Sequence, residues 1–139
     1  MSTRRDGRIA AVQLLYQLDV RSAFADAEGS IARHFAHIDP DADAETRDFA
    51  ARICRGVVAH REELDALIAR CADNWRLERM SYVDRNILRA AAFELGHCPD
   101  VPARVVLDEA IEVAKHLGAT ESSGFVNGVL ARVVQESAR

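Results

Sequence analysis

The stretch Ser81-Tyr82-Val83-Asp84-Arg85-Asn86-Ile87-Leu88-Arg89-Ala90-Ala91-Ala92-Phe93-Glu94-Leu95-Gly96 decides the fold. Val83, Ile87, Leu88, Ala91 and Leu95 recur at three- and four-residue steps, the spacing of a helix with one apolar face. Ser81 stands three residues ahead of Asp84. Its hydroxyl is placed to cap the first free N–H groups, and an early carboxylate suits the positive end of the helix dipole. Gly96 is placed to end the helix. Arg85 and Arg89 lie one turn apart, away from Ile87, Leu88 and Ala91, and read as a solvated face with local ion pairs, as do Arg52 and Arg55, with Asp48 a local partner for Arg52.

Helical spacing continues in both directions. Residues 4–20 carry Ile9, Val12, Leu15, Tyr16 and Val20, and Asp26 to Ile38 carries Ile31, Phe35 and Ile38. Asp39-Pro40-Asp41-Ala42-Asp43 breaks the pattern, because Pro and Asp favour turns. From Ala44 a stripe of Phe49, Ile53, Val57, His60, Leu64 and Leu67/Ile68 follows, long enough to be divided at Gly56 or at His60-Arg61. Ala72 to Met80 reads as a connector; its Asn74-Trp75 pair suggests a Trp pinned between helices. After Gly96, Asp100-Val101-Pro102 starts a helix with Pro in its first turn. That helix buries Val106, Ala110, Val113, Ala114 and Leu117 and stops at Gly118. Ser122 or Ser123 opens the last, with Phe125, Val126, Val129, Leu130, Val133 and Val134. The best strand candidate, Val105-Val106-Leu107, is three residues long and does not alternate. Asn127-Gly128 lacks flanking strands. The expected class is all-α, a compact bundle of six or seven helices.

The composition limits the function classes. With 49% hydrophobic and 29% charged residues in 139, the chain suits one globular domain with a real core, not a disordered or low-complexity segment. No apolar run spans a bilayer and no signal-peptide pattern opens the chain, so the expectation is a soluble, cytoplasmic protein without membrane contact. Cys54, Cys71 and Cys98 are odd in number and widely spaced, unlike a disulfide framework. The net charge of −4 argues against a broadly basic nucleic-acid surface. It is unevenly spread: residues 1–25 sum to +2 and residues 26–46 to −5. Seventeen of the eighteen cations are Arg, Lys115 being the exception. Coding bias explains most of that; Arg's fork geometry for phosphate is the functional alternative.

No catalytic constellation stands out. There is no phosphate-binding Gly-rich loop and no nucleophile elbow. His34 and His37, one turn apart near Asp39, form a conceivable metal face but lack further ligands, so no metal site is expected. His60 on an apolar stripe reads as a half-buried structural histidine, His97-Cys98 as helix-end residues and Glu62-Glu63 as a solvated charge run. Two segments suit binding. Ser2-Thr3-Arg4-Arg5-Asp6-Gly7-Arg8 places Arg4 and Arg8 on one helix face, where they suit consecutive phosphates; a frayed, solvated terminus is the alternative. Gly124-Phe125-Val126-Asn127-Gly128 offers an aromatic for base stacking and an amide for a base edge; alternatively Phe125 is core and the glycines permit close helix packing.

Three blocks together resemble the NusB family of bacterial transcription antitermination factors over nearly the whole chain. The first is the Arg-rich start running into Ala11-Val12-Gln13-Leu14-Leu15-Tyr16. The second is Val83 to Leu95. The third is Val101-Pro102, Asp108-Glu109-Ala110-Ile111-Glu112-Val113-Ala114-Lys115 and Phe125-Val126-Asn127-Gly128-Val129-Leu130. The resemblance implies two three-helix subdomains, approximately 1–74 and 75–139, with about seven helices, and neither catalysis nor a cofactor. It implies binding of single-stranded boxA RNA with NusE, also a small-subunit ribosomal protein, so that RNA polymerase reads through terminators, notably in ribosomal RNA operons. Carried over by residue, it places RNA at Arg4, Arg5, Arg8, Lys115, Phe125 and Asn127, and NusE at Glu78, Tyr82 and Val83. Monomers and homodimers are both compatible. The chain departs from the family at Asp6-Gly7, which interrupts the Arg-rich block, and at Asp108, where Asn is usual. The alternative reading is a stand-alone helical interaction module related to the N-terminal domain of ribosomal RNA cytosine methyltransferases.

Overall fold

The computed structural model describes residues 3–73 and 75–137; Ser2 of the N-terminal arm and Asn74 of the connector lie outside them. Seven α-helices follow one another: α1 (Thr3–Val20), α2 (Ala27–Arg33), α3 (Ala44–Ala59), α4 (Arg61–Cys71), α5 (Tyr82–His97), α6 (Ala103–Leu117) and α7 (Ser122–Glu136). No strand occurs among the described residues. The class is all-α, as the periodicity predicts.

The helix ends follow local chemistry. Ser81 Oγ accepts from the Asp84 backbone N–H at 3.0 Å, and Asp43 Oδ1 accepts from that of Thr46 at 2.8 Å. Both are N-caps, and each satisfies a donor the helix leaves open. Pro102 sits at the N-cap of α6, one position earlier than its sequence reading. The long stripe after Ala44 divides at His60, whose backbone leaves helical geometry. Ser22 and Asp73 adopt positive φ just after α1 and α4, turning the chain as a left-handed cap does. The helix read over Asp26–Ile38 is instead a 3₁₀ turn, the short α2, and one π-helical turn over His34–Ile38.

Helix α5 is the centre. From Asn86 to Leu95 every residue is buried, as befits a helix surrounded on all sides. It packs against α1, α3, α4, α6 and α7. Helices α1 and α3 form the most extensive pair; α4 turns away from α3 to lie on α5 and α7. One continuous core holds Leu14, Leu15, Leu18, Ile53, Leu64, Ile87, Leu88 and Leu130. Gly56 is required by close approach, because a Cβ there would fall inside the Phe93 ring.

Arg85 and Arg89 are not a solvated face. Arg85 grips Asp19 of α1 through two bonds of 2.6 and 2.7 Å. Arg89 bonds Asp19 at 2.9 Å and Asp65 of α4 at 2.7 and 3.0 Å. Asn86 adds a bond to Asp19 at 2.9 Å. Burial raises the Asp19 carboxyl's affinity for a proton, but the hydrogen bonds from Arg85 and Asn86 and the charges of Arg89 and Arg85 prevail, and its pKa falls below the usual aspartate value. This network ties α1, α4 and α5 at one level. Arg52 pairs with Asp100 at 3.0 Å instead of Asp48, and Arg55 with Glu28 at 2.7 Å, so these arginines also join distant segments.

Candidate nucleic-acid interface

Because α1 begins at Thr3, Arg4, Arg5 and Arg8 are all helical, but they do different things. Arg4 lies over the Phe49 ring at 4.6 Å and reaches Asp100 at 3.7 Å, with 43% of its side chain exposed. Arg5 is 46% exposed and forks onto Glu109 of α6 at 3.1 and 2.7 Å. The hydrogen bond and charge of Glu109 raise the Arg5 pKa, and the hydrogen bond from Arg5 lowers that of Glu109. Arg8 points inward: 7% exposed, it forks onto the buried Glu94 of α5 at 2.9 and 2.7 Å. A fork–fork pair of this kind fixes geometry as well as charge. Arg8 thus positions α1 on α5, while Arg4 and Arg5 face an open cleft bordered by Asp100, Val101, Pro102 and Val105.

Lys115 is exposed on α6 beside Glu112, Nζ to Oε1 3.7 Å. Six residues separate it from Glu109, about 9 Å along the helix and about 120° around it, so Lys115 leaves α6 on a different side from the Arg5–Glu109 pair. Phe125 belongs to a different patch. It meets the ring of Trp75 edge-on at 5.7 Å, above Cys71, Gly128 and Arg132. Asn127 is exposed two residues on, and side chains at that spacing leave a helix on opposite flanks. Gly124 and Gly128 have open space where a Cβ would be, so helix packing does not require them.

Trp75 corrects its sequence reading: it is 54% exposed instead of pinned between helices. Arg76 and Arg79 follow it, both exposed and without an ion pair among the described residues. An aromatic pair beside free guanidinium groups suits stacking with unpaired bases. The signal in the sequence was a Trp inside an Arg-containing connector.

A second surface is apolar. Tyr82 is exposed and meets Tyr16 edge-on at 6.0 Å. Val83 lines a groove of about 290 Å³ with Val12, Tyr16, Ile38 and Leu117, and Glu78 is exposed on the 3₁₀ turn before α5. Tyr16, Val20 and Ile38 sit on apolar helical stripes, yet all are exposed. His34 lines the groove, buried, with its Nδ1 unpartnered; burial lowers its pKa and Asp39 opposes this. His37 is exposed, so the pair does not converge as a metal face.

The NusB family model matches residues 5–135. The transcription antitermination protein NusB of Myxococcus xanthus is 46% identical over 137 residues, covering 96% of this chain and 95% of that protein. The solved structure of T. maritima NusB superposes with a TM-score of 0.82 at 36% identity, over 98% of this chain and 93% of the other. A crystal structure of antitermination factors NusB and NusE in complex with dsRNA matches with a TM-score of 0.82 at 23% identity, over 98% of each chain, a likeness of fold. No described helix is long and apolar enough to cross a membrane. With the family's pattern matched from the first turn of α1 to the last of α7, this chain belongs to the NusB family.

Proposed function

We propose that this protein is a non-catalytic antitermination factor of the cytoplasm that binds boxA RNA together with NusE and favours read-through by RNA polymerase, notably in ribosomal RNA operons. The observation that carries the reading is full-length membership of a family whose relatives are named transcription antitermination proteins. Two separate surfaces support it. Arg4 and Arg5 face an open cleft suited to phosphates, and Lys115 adds a cation on another side of α6. The groove lined by Val83 and Tyr16, with Tyr82 packed against Tyr16 and Glu78 exposed on the turn before α5, offers an apolar face to a protein partner. Phe125 acts with Trp75 as a stacking platform, and Asn127 contacts RNA from the opposite flank of α7. Read as two subdomains, 1–74 holds α1 to α4 and 75–139 holds α5 to α7, with α5 packed against both.

Since Arg5 is held by Glu109 in the free protein, binding RNA exchanges a carboxylate for a phosphate. The net gain per contact is small, and a partner bound beside the RNA raises affinity through combined engagement. Titration of labelled boxA RNA with and without NusE tests this. The expected result is sequence-selective binding, tightened by NusE. Arg4→Ala with Arg5→Ala weakens it and flattens the salt slope by about 1.4, two contacts on a single strand. Equal affinity for scrambled RNA in the presence of NusE overturns the RNA reading. NusE binding without any RNA binding favours the interaction-module alternative.

A further inference from the structure

Away from both surfaces, His60, Glu63 and His97 converge. Their ligand atoms all lie within 4.8 Å of one another. Glu63 Oε2 is 3.4 Å from His60 Nδ1, and Glu63 Oε1 is 3.2 Å from His97 Nε2. The two imidazoles stack at 4.1 Å, and Phe93 stacks on both, at 6.2 Å from His60 and 5.2 Å from His97. Three elements bring these residues together. His60 is the break between α3 and α4, Glu63 lies in the first turn of α4, and His97 is the last residue of α5. An open hollow of about 400 Å³ over residues 58–63 gives access from solvent.

We propose that His60, Glu63 and His97 form a binding site for a divalent first-row transition metal of the zinc class. Two imidazoles and a carboxylate are a ligand set such ions take, with solvent completing the coordination. Bonds of about 2.0–2.1 Å at tetrahedral angles place donor atoms about 3.3 Å apart. In the free protein each Glu63 oxygen faces one imidazole, Oε1 at 3.2 Å from His97 and Oε2 at 3.4 Å from His60, so the carboxylate already lies between the two nitrogens and can offer either oxygen. The two rings are stacked 4.1 Å apart and 23° from parallel, so their in-plane lone pairs run side by side; binding turns at least one imidazole out of the stack, and with side chains 40% exposed for His60 and 28% for His97 there is room for that turn. A bound ion displaces any protons from these nitrogens and replaces the Glu63 hydrogen bonds with metal–ligand bonds. It would clamp the α3–α4 corner to the end of α5. The three residues line neither the Arg4–Arg5 cleft nor the Val83 groove, and the proposal does not depend on the RNA reading.

The test is Co²⁺ titration of the chelator-treated full-length protein, followed by Zn²⁺ competition. One equivalent should produce the visible d–d bands of a low-coordinate nitrogen–oxygen site, without a thiolate charge-transfer band, and Zn²⁺ should bleach them. His97→Ala and Glu63→Gln should each weaken binding by at least the roughly 10–100-fold that even outer-shell partners contribute. Glu63 is 62% exposed, so Glu63→Gln should keep the wild-type circular dichroism and still lose the metal. His37→Ala with His116→Ala should retain it. Zn²⁺ should raise the thermal midpoint of the wild type and not of Glu63→Gln. Thiolate bands, binding that follows His37 or His116, unaltered binding in Glu63→Gln, or no saturable Co²⁺ binding would each overturn the site.

Discussion

Replacing Arg8 by Ala separates two roles that the sequence leaves indistinguishable. As a phosphate contact, Arg8 would be dispensable for folding and needed for RNA. The structure places it 7% exposed against Glu94, itself 3% exposed, through two short hydrogen bonds. Removing one partner of such a pair strands the other charge in the interior, which costs about 3–5 kcal/mol. Against a total stability of about 5–15 kcal/mol, that is a large fraction. For 139 residues, an unfolding entropy of about 2.1 cal/mol/K per residue converts the loss to a drop of about 10–17 °C in thermal midpoint. Calorimetry or circular dichroism melting reads it directly. Arg5→Ala is the control: its guanidinium is solvent-facing, so the midpoint should hardly move while RNA affinity falls. Arg8→Met combined with Glu94→Leu should recover much of the loss, because an apolar pair replaces a buried ion pair at little cost. If Arg8→Ala melts like the wild type and loses only RNA binding, the positioning role is wrong.

Other outcomes follow from the same contacts. Burial depresses the folded-state pKa of His34, so the unfolded chain binds its proton more readily. This contribution to stability is present above about pH 6.5 and is lost as pH falls through that value towards the lower folded pKa, with a slope of at most about 1.4 kcal/mol per pH unit; urea midpoints should fall with pH across this range in the wild type and fall less in His34→Gln. Gly56→Ala drives a methyl into the Phe93 ring and should cost about 1–3 kcal/mol, whereas Gly124→Ala, with open space above it, should stabilise α7 by up to about 1 kcal/mol; denaturant midpoints with opposite signs check both. Tyr82→Asp should abolish NusE binding at an unchanged melting temperature, since the ring is already exposed; retained affinity in calorimetric titration removes the groove as the partner face.

Much of the helix order was legible because it rests on local chemistry. The Ser81 hydroxyl, the Asp39–Asp43 break and the Gly118 stop act within a few residues of themselves, and each does in the structure what its type suggests. Long-range pairing was not legible. Arg85 and Arg89 at i, i+4 look the same whether they face water or Asp19, which lies 66 and 70 residues away in the chain. Periodicity also marks an apolar face without saying whether the chain covers it. Tyr16, Val20 and Ile38 keep helical spacing with the core and remain outside it. The same blindness hid the cluster of His60, Glu63 and His97, because His97 comes from another helix and its sequence neighbours say nothing of the α3–α4 corner.

The arginines explain how an acidic chain fits the nucleic-acid role proposed for it. Arg8, Arg52, Arg55, Arg70, Arg85 and Arg89 are committed to carboxylates on other segments, so much of the positive charge is used within the fold. The exposed cations nearest the two candidate surfaces are few: Arg4, Arg5 and Lys115 on α1 and α6, and Arg76 and Arg79 in the segment after Trp75; Arg21 and Arg104 are exposed as well. Sparse exposed cations on a chain of net charge −4 attract RNA weakly at a distance and reject most of it on contact, since unmatched phosphates meet carboxylates. Affinity must then come from a second body that bridges or extends one patch, and the groove at Tyr82 lies open for it. On this arrangement the proposed need for a partner follows from where the arginines pair, and Glu109→Gln, which removes the carboxylate gripping Arg5, should reduce it.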